Sequence, residues 1–350
     1  MHCRCSFEGL HRIIKNSGED VKRIGLKLFL IFISLTMGLC GCGAERTAVY
    51  IEGTEVTPEA PHLEELVVHE HELAVEGLES EFELFFMADT HISLCDDRDP
   101  EVMEKAASRY EMFRSKGGIG AEESFEDMLE YISDEEPDLL VMGGDIVDSA
   151  MWASIEHVAE TLEEQDYPWI YEMGNHDFEY GMEYFSEKCY SEYLPRLEQI
   201  SKTHEGWQQM EYEDFIVFAV DDQNNQVSEE ALKAFEEIYD SGKSIVLISH
   251  VPIEPLEDNG LWEKSNEVWG ATQDGRSRVL LGSRSCLPNE TTGRFLDLVR
   301  AEESPVELIL SGHVHFYHEG NLTEDTMQIV TGPGFEREIV KVTLVPEIVQ

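Results

Sequence analysis

Positive charge is what this chain has least of: 25 lysines and arginines stand against 73 aspartates and glutamates, a formal net charge of −48 over 350 residues. Nucleic acid is bound by neutralising its phosphates with lysine and arginine, so it is excluded as a partner. Anionic lipid and cell-wall polymer are repelled at long range for the same reason, and the excess acid reads as a solvated surface. Cysteine is sparse as well, seven in all. None is spaced C-x-x-C, which excludes a structural zinc of that pattern and a thioredoxin-like pair. No internal repeat is evident, and the one apolar run of note lies near the N-terminus.

That run, Leu28 to Leu39, is uncharged, follows the basic segment Val-Lys-Arg-Ile-Gly-Leu-Lys at 21–27, and leads into Cys40-Gly-Cys42-Gly. The order of basic, apolar and small residues is that of a signal peptide. Leu39-Cys-Gly-Cys42 fits the lipobox of bacterial lipoproteins, so the expectation is lipidation at Cys42 and an extracytoplasmic domain anchored to the cell membrane. An uncleaved transmembrane anchor is the alternative, although about 17 uncharged residues is short for one. On the lipoprotein reading Cys3, Cys5 and Cys40 are removed, and Cys95, Cys189 and Cys286 remain as buried or incidental thiols. Residues 43–80 form an acidic tether followed by the alternating segment Val67 to Val75, an edge strand or hairpin. Residues 81–350 form one large domain.

Within that domain five β-branched or aromatic apolar runs each end in side chains that bind metals. Phe82–Met87 leads to Asp89-Thr-His91, and Leu139–Met142 to Gly144-Asp145 with Asp148. Trp169–Tyr171 leads to Gly174-Asn175-His176-Asp177, Ile245–Ile248 to His250, and Val306–Leu310 to Gly312-His313-Val-His315. Each set is predicted to lie on a loop leaving the C-terminal end of a buried strand, where open α/β sheets place ligands. Imidazole, carboxylate and amide oxygens together suit divalent or trivalent first-row metals, and a shared carboxylate keeps two cations close enough to act on one phosphoryl group.

The series D-x-H, G-D-x-x-D, G-N-H-D, H and G-H-x-H resembles the signature of the calcineurin-like metallophosphoesterase superfamily, in order, from about Phe82 to about Val340. The resemblance implies a four-layer α-β-β-α sandwich of two mixed sheets. It implies that Asp89, His91 and His315 hold one metal, that Asn175, His250 and His313 hold the other, and that Asp145 bridges them. His176 would face the substrate as general acid, oriented by Asp148. The implied activity is hydrolysis of a small phosphodiester or phosphomonoester with two ions drawn from Mn, Fe or Zn. The alternative is an inactive relative serving as a binding or scaffold protein.

Departures from the pattern narrow the substrate. Protein phosphatases of the superfamily have arginine after the second aspartate of G-D-x-x-D and glutamate after G-N-H; here those positions hold Ser149 and Asp177. Purple acid phosphatases have a tyrosine ligand where this chain has Asp148. Both types are therefore disfavoured. Specificity is expected from an insertion at about 252–290, where Arg276, Arg278 and Arg284 lie near Trp262 and Trp269 and are candidates to grip a second anionic group and stack on an aromatic or sugar moiety. His69 and His71 share one strand face without a supporting motif and are left out of the site.

Overall fold

The computed structural model describes residues 66–178, 187–202, 206–256, 260–270, 279–283 and 286–347. Cys42, the apolar run before it, the tether up to residue 65, and Arg276, Arg278 and Arg284 lie outside the described residues.

Two sheets carry the apolar runs. The first is built from β1 (Val67–Val75), β2 (Phe82–Met87), β3 (Leu139–Gly143), β4 (Trp169–Glu172) and β11 (Glu338–Pro346), in the order β1-β11-β2-β3-β4. The second is built from β5 (Trp207–Glu211), β6 (Phe215–Val220), β7 (Ser244–Ser249), β8 (Val306–Ser311), β9 (His318–Asn321) and β10 (Met327–Val330), in the order β5-β6-β7-β8-β10-β9. Both mix parallel and antiparallel pairs: β2, β3 and β4 run parallel, as do β6, β7 and β8, while β11 is antiparallel to β2 and β5 to β6.

Strand alternation explains the layering. Leu84, Phe86, Val141 and Ile170 point inward from the first sheet and meet Val217, Ala219, Val246, Ile248, Leu308 and Leu310 of the second in one buried core. The alternate residues Phe85, Met87, Leu140 and Met142 face α2 (Ala121–Asp134), α3 (Trp152–Glu163) and the buried residues of α4 (Glu187–Ser201). On the far side, Phe218, Ile245, Leu247 and Ile309 pack under α5 (Glu229–Tyr239) and α7 (Glu290–Val299). Strands buried on both faces need apolar residues at every position, which is why these runs read as continuous. The result is the four-layer sandwich expected from the motifs.

Two expectations need correction. In the sequence, Thr326 to Val345 reads as two strands around Gly332-Pro-Gly334 that close the second sheet; in the structure β10 joins that sheet, but β11 crosses back to the first, between β1 and β2. The crossing follows Gly332-Pro333 and a 3₁₀ turn at Gly334–Glu336, with Arg337 left-handed at φ +64°. Ile339 then faces the helices while Val340, Val342 and Leu344 enter the inter-sheet core. The insertion at 252–290 is also not all loop. Leu261–Trp269 forms a nine-residue helix, α6, bracketed by Gly260 and Gly270, both with positive φ, and buried through Leu261 and Ser265 one turn apart.

Candidate metal centre

The five motif loops leave the C-terminal ends of β2, β3, β4, β7 and β8 and tie to one another through backbone hydrogen bonds. Asp89 N–H donates to Gly144 O (3.0 Å), His91 N–H to Asp145 O (2.9 Å), and Gly312 N–H to His250 O (3.0 Å). Gly144 and Gly174 serve close approach: at Gly144, with φ +87°, a Cβ would come within 2.6 Å of His250 Nδ1 and 2.7 Å of the Gly174 nitrogen. Asp177 draws three amides together, accepting from Gly174 N (2.6 Å), Asp145 N (2.8 Å) and Val147 N (2.9 Å). Its shorter side chain, read in the sequence only as a departure from the protein phosphatases, is the knot of the β3 and β4 loops.

Strain concentrates at the same place. Asp89, His91, Asp145, Ser149, His313 and His315 all adopt positive φ, between 53° and 86°. Such conformations cost of order 1–3 kcal/mol each for residues with a Cβ and persist where surrounding structure enforces them.

The side chains of the motif loops come together in groups. Asp89, His91 and His315 form one group whose ligand atoms lie within 4.8 Å of one another, and Asp145, His250 and His313 form a second. His91 Nε2 is 3.0 Å from His315 Nε2, His315 Nε2 is 3.4 Å from Asp89 Oδ1, and His250 Nε2 is 3.3 Å from Asp145 Oδ2. Asp145 Oδ2 is also 3.8 Å from His91 Nε2, so this carboxylate stands between the groups. Second contacts fix the rings: His250 Nδ1 lies 2.8 Å from Gly143 O, and His91 Nδ1 lies 3.2 Å from Asp148 Oδ1, leaving each Nε2 directed inward.

A cation fits this donor set. Asp89 Oδ1, Asn175 Oδ1 and His250 Nε2 are all buried without a hydrogen-bond partner, an arrangement that is costly unless something positive is shared among them. The electrostatics agree. Burial and the neighbouring His250 push His313 down to about 3, and burial lowers His91, so both imidazoles are neutral and able to ligate. Burial opposes ionisation of Asp145, but His250, His176 and His91 outweigh it and hold the carboxyl well below the usual range. His250 goes the other way: despite its burial, Asp145 raises it to about 10.

His176 stands beside these groups, with Nδ1 3.0 Å from Asp148 Oδ1. Burial lowers its pKa, and the charges of Asp145 and Asp148 more than reverse that, for a net rise. Asp148 itself is fully buried and touches three groups: His91, His176, and Arg109 of α1 (Met103–Met112). Arg109 Nε is 2.5 Å from Asp148 Oδ2 and Nη2 is 2.7 Å from Oδ1; Nη2 also lies 3.1 Å from His176 Nδ1, and the guanidinium covers the Phe113 ring. The sequence reading missed Arg109, which no motif marks. Ser149, whose amide N–H donates to His176 O at 2.7 Å, has no guanidinium to offer.

Of the residues assigned to substrate, Trp269 reaches the centre. Its indole N–H donates to Val314 O (2.9 Å), its ring meets His315 edge-on at 5.7 Å, and it remains 41% exposed at the rim. Trp262 is half-buried about two turns earlier on α6, roughly 10 Å along the helix. His69 and His71 are outside the site: His69 stacks on Tyr317 at 3.6 Å and His71 Nε2 lies 2.9 Å from the Tyr317 hydroxyl, joining β1 to the segment before β9.

The sequence model of the calcineurin-like phosphoesterases matches residues 82–317, which contain all five loops. The chain belongs to the calcineurin-like phosphoesterase family. No curated protein matches it. Among solved structures, a dimetal phosphatase from Danio rerio is similar over 75% of this chain and 92% of its own, at 12% identity and a TM-score of 0.48. The purple acid phosphatase PPD1 of yellow lupin (Lupinus luteus) seeds is similar over 75% of this chain and 45% of its own, at 14% identity and a TM-score of 0.44. The calcineurin-like phosphoesterase YfkN of Bacillus subtilis is similar over 73% and 82%, at 11% identity and a TM-score of 0.40. This calcineurin-like phosphoesterase is a phosphoester hydrolase of a dimetal-dependent family, and it carries side-chain groups able to hold the metals.

Proposed function

We propose that the protein hydrolyses a small phosphodiester or phosphomonoester at the cell surface. In this reading Asp89, His91 and His315 hold one first-row metal, Asn175, His250 and His313 hold the second, and Asp145 is shared. The observation that carries it is the convergence of two ligand groups about Asp145, with the His176 imidazole at their edge, grouped with His91 and Asp148. Bound there, two ions of Mn, Fe or Zn would supply positive charge for the phosphoryl oxygens and lower the pKa of water.

The chain's own residues account for the proton. With Nδ1–H donating to Asp148, His176 presents Nε2 to the substrate, and its raised pKa keeps a proton there near neutral pH for the departing alkoxide. Asp148 fixes both this ring and that of His91, and Arg109 fixes Asp148 through two parallel bonds. Arg109 also places positive charge beside His176, which limits the rise in its pKa and so eases release of the proton. Trp269, exposed beside His315, offers a ring face to the leaving group.

The place of action rests on the N-terminal sequence: the apolar run from Leu28 to Leu39 and the lipobox at Cys42 support a lipoprotein outside the cytoplasm. The test of the chemistry is hydrolysis of bis-p-nitrophenyl phosphate and p-nitrophenyl phosphate by protein reconstituted with Mn²⁺, Zn²⁺ or Fe. Loss of turnover in Asp145→Asn and His176→Ala supports the reading; a fully metallated protein inert towards a broad panel of esters makes this chain a binding protein instead. Mass spectrometry of membrane-extracted protein tests the anchor, and an unmodified Cys42 would refute it.

A further inference from the structure

Trp269, the last residue of α6, is the exposed member of a face that is otherwise buried. Ser265 and Leu261 lie one and two turns before it and are fully covered, and the same stripe carries the indole to the rim of the metal centre, where Gly270 ends the helix at φ +81°. Among the described residues it is the one phenylalanine, tyrosine or tryptophan left exposed. Its position is nonetheless fixed. The indole N–H is bonded to the carbonyl of Val314, the residue between His313 and His315, and the ring stands at 80° to the His315 imidazole.

This side of the centre is aromatic. Phe113, Phe335 and Trp269 each meet the His315 ring nearly at right angles, with centroids 6.1, 5.4 and 5.7 Å away, and Phe113 lies flat on His91 at 3.9 Å. A phosphoryl group held at Asp89, His91 and His315 has these rings beside it, the exposed indole outermost. The exposed apolar surface on α6 is small, Val268 and Trp269 alone, so a long alkyl chain finds no groove along the helix. A second phosphate is not favoured there either: Glu263 and Glu267 are exposed acids, and Lys264 is turned to the Tyr317 carbonyl (2.9 Å). A flat ring held in place with a face open to solvent is matched by another flat ring.

We propose that the substrate is a phosphoester whose organic group carries an uncharged aromatic ring, and that Trp269 selects it by stacking. The proposal takes the position of the phosphoryl group from the metal assignment above, and binding, which needs no turnover, tests it.

The experiment is calorimetric titration of the metal-loaded protein with benzylphosphonate and methylphosphonate, whose carbon–phosphorus bond replaces the ester. Benzylphosphonate should bind about tenfold tighter. Trp269→Leu should bring the two within about twofold of each other, whereas Trp269→Phe should keep most of the difference. Both variants lack the indole N–H, so loss of the bond to Val314 is common to them, and elemental analysis checks that both retain metal. Where Trp269→Leu does not fold, cyclohexylmethylphosphonate makes the same comparison in the native protein: it is apolar but not flat, and should bind several-fold more weakly than benzylphosphonate. Equal binding of benzylphosphonate and methylphosphonate by the native protein, no binding of either up to about 10 mM, or equal benzylphosphonate binding by Trp269→Leu and Trp269→Phe would each overturn the proposal. Turnover of 1-naphthyl phosphate and glycerol 2-phosphate separates the two readings. If neither is hydrolysed while benzylphosphonate binding still follows the aromatic side chain, hydrolysis fails and the ring site stands.

Discussion

Two clusters of buried carboxylates lie a few residues apart at the strand ends, and they behave oppositely. Around the metal centre, Asp89, Asp145 and Asp148 are held below the ordinary range, because imidazoles and the Arg109 guanidinium outweigh the cost of burial. Behind it, burial and repulsion from neighbouring carboxylates push Glu172 well above its ordinary value and raise Asp221 to about 7, while burial, opposed by His250, raises Asp222 to about 6. Burial is common to both. What differs is the supply of positive partners: His91, His176, His250, His315 and Arg109 reach the first cluster, while among the described residues His250 is the positive group that acts on the second, through Asp222. A buried acid is therefore ready for catalysis only where the fold brings a base or a guanidinium to it.

The comparison breaks most sharply where the first cluster loses its shared carboxylate. Asp145→Asn should lower kcat/KM by about 10³-fold or more, since both ligand groups lean on it, with metal content by elemental analysis falling in parallel. His176→Ala should cost about 10²–10⁴-fold in kcat while metal content is retained, because its imidazole belongs to neither of the two groups proposed to hold the metals, but to a third with His91 and Asp148. A His176→Ala protein that lost its metals would assign His176 to ligation rather than proton transfer. Arg109→Lys should cost about 10–100-fold, mostly in kcat, because an ammonium cannot keep two parallel bonds to Asp148. An unchanged pH profile in Arg109→Lys would show that the arginine only packs α1 against the site.

Metal uptake sharpens the same contrast. In the metal-free protein the His250 imidazolium, at about 10, sits where positive charge is needed beside Asp145. A cation must displace that proton, so affinity should rise with pH up to about 10, by as much as tenfold per pH unit for one proton. Calorimetry in two buffers of different ionisation enthalpy measures the protons released; none released would contradict the ion pair.

Much of this was legible because strand burial and metal chemistry both leave local marks. The runs Phe82–Met87 and Val306–Ser311 announce strands by being apolar at most positions, with Glu83 and Glu307 as the charged exceptions, and each is followed within four residues by its ligands. What escaped was set by contacts far along the chain. Arg109 lies 39 residues before Asp148 and is a single arginine in an otherwise ordinary helix. The crossing of β11 to the first sheet depends on pairing with β1 and β2, more than 250 residues away. The left-handed backbone at Asp89, His91, His313 and His315 has no compositional signal, since neither aspartate nor histidine demands it. Helix α6 was hidden by its flanking glycines, which end helices as readily as they make turns.

The smallest expected effect falls on the second cluster and is one of stability. Folding raises the pKa of Glu172 above its ordinary 4.5, so above that pH the unfolded chain binds fewer protons than the folded one. Stability contributed by this site is therefore complete in acid and declines as pH rises from about 4.5 towards the folded value. A glutamine side chain in its place has no proton to lose, so Glu172→Gln should gain on the native protein by on the order of 1 kcal/mol near pH 8, a few degrees in Tm, and gain little near pH 4.5. Equal melting temperatures of Glu172→Gln and the native protein at both pH values would mean that Glu172 already has a partner, and the contrast between the two clusters would lose its second half.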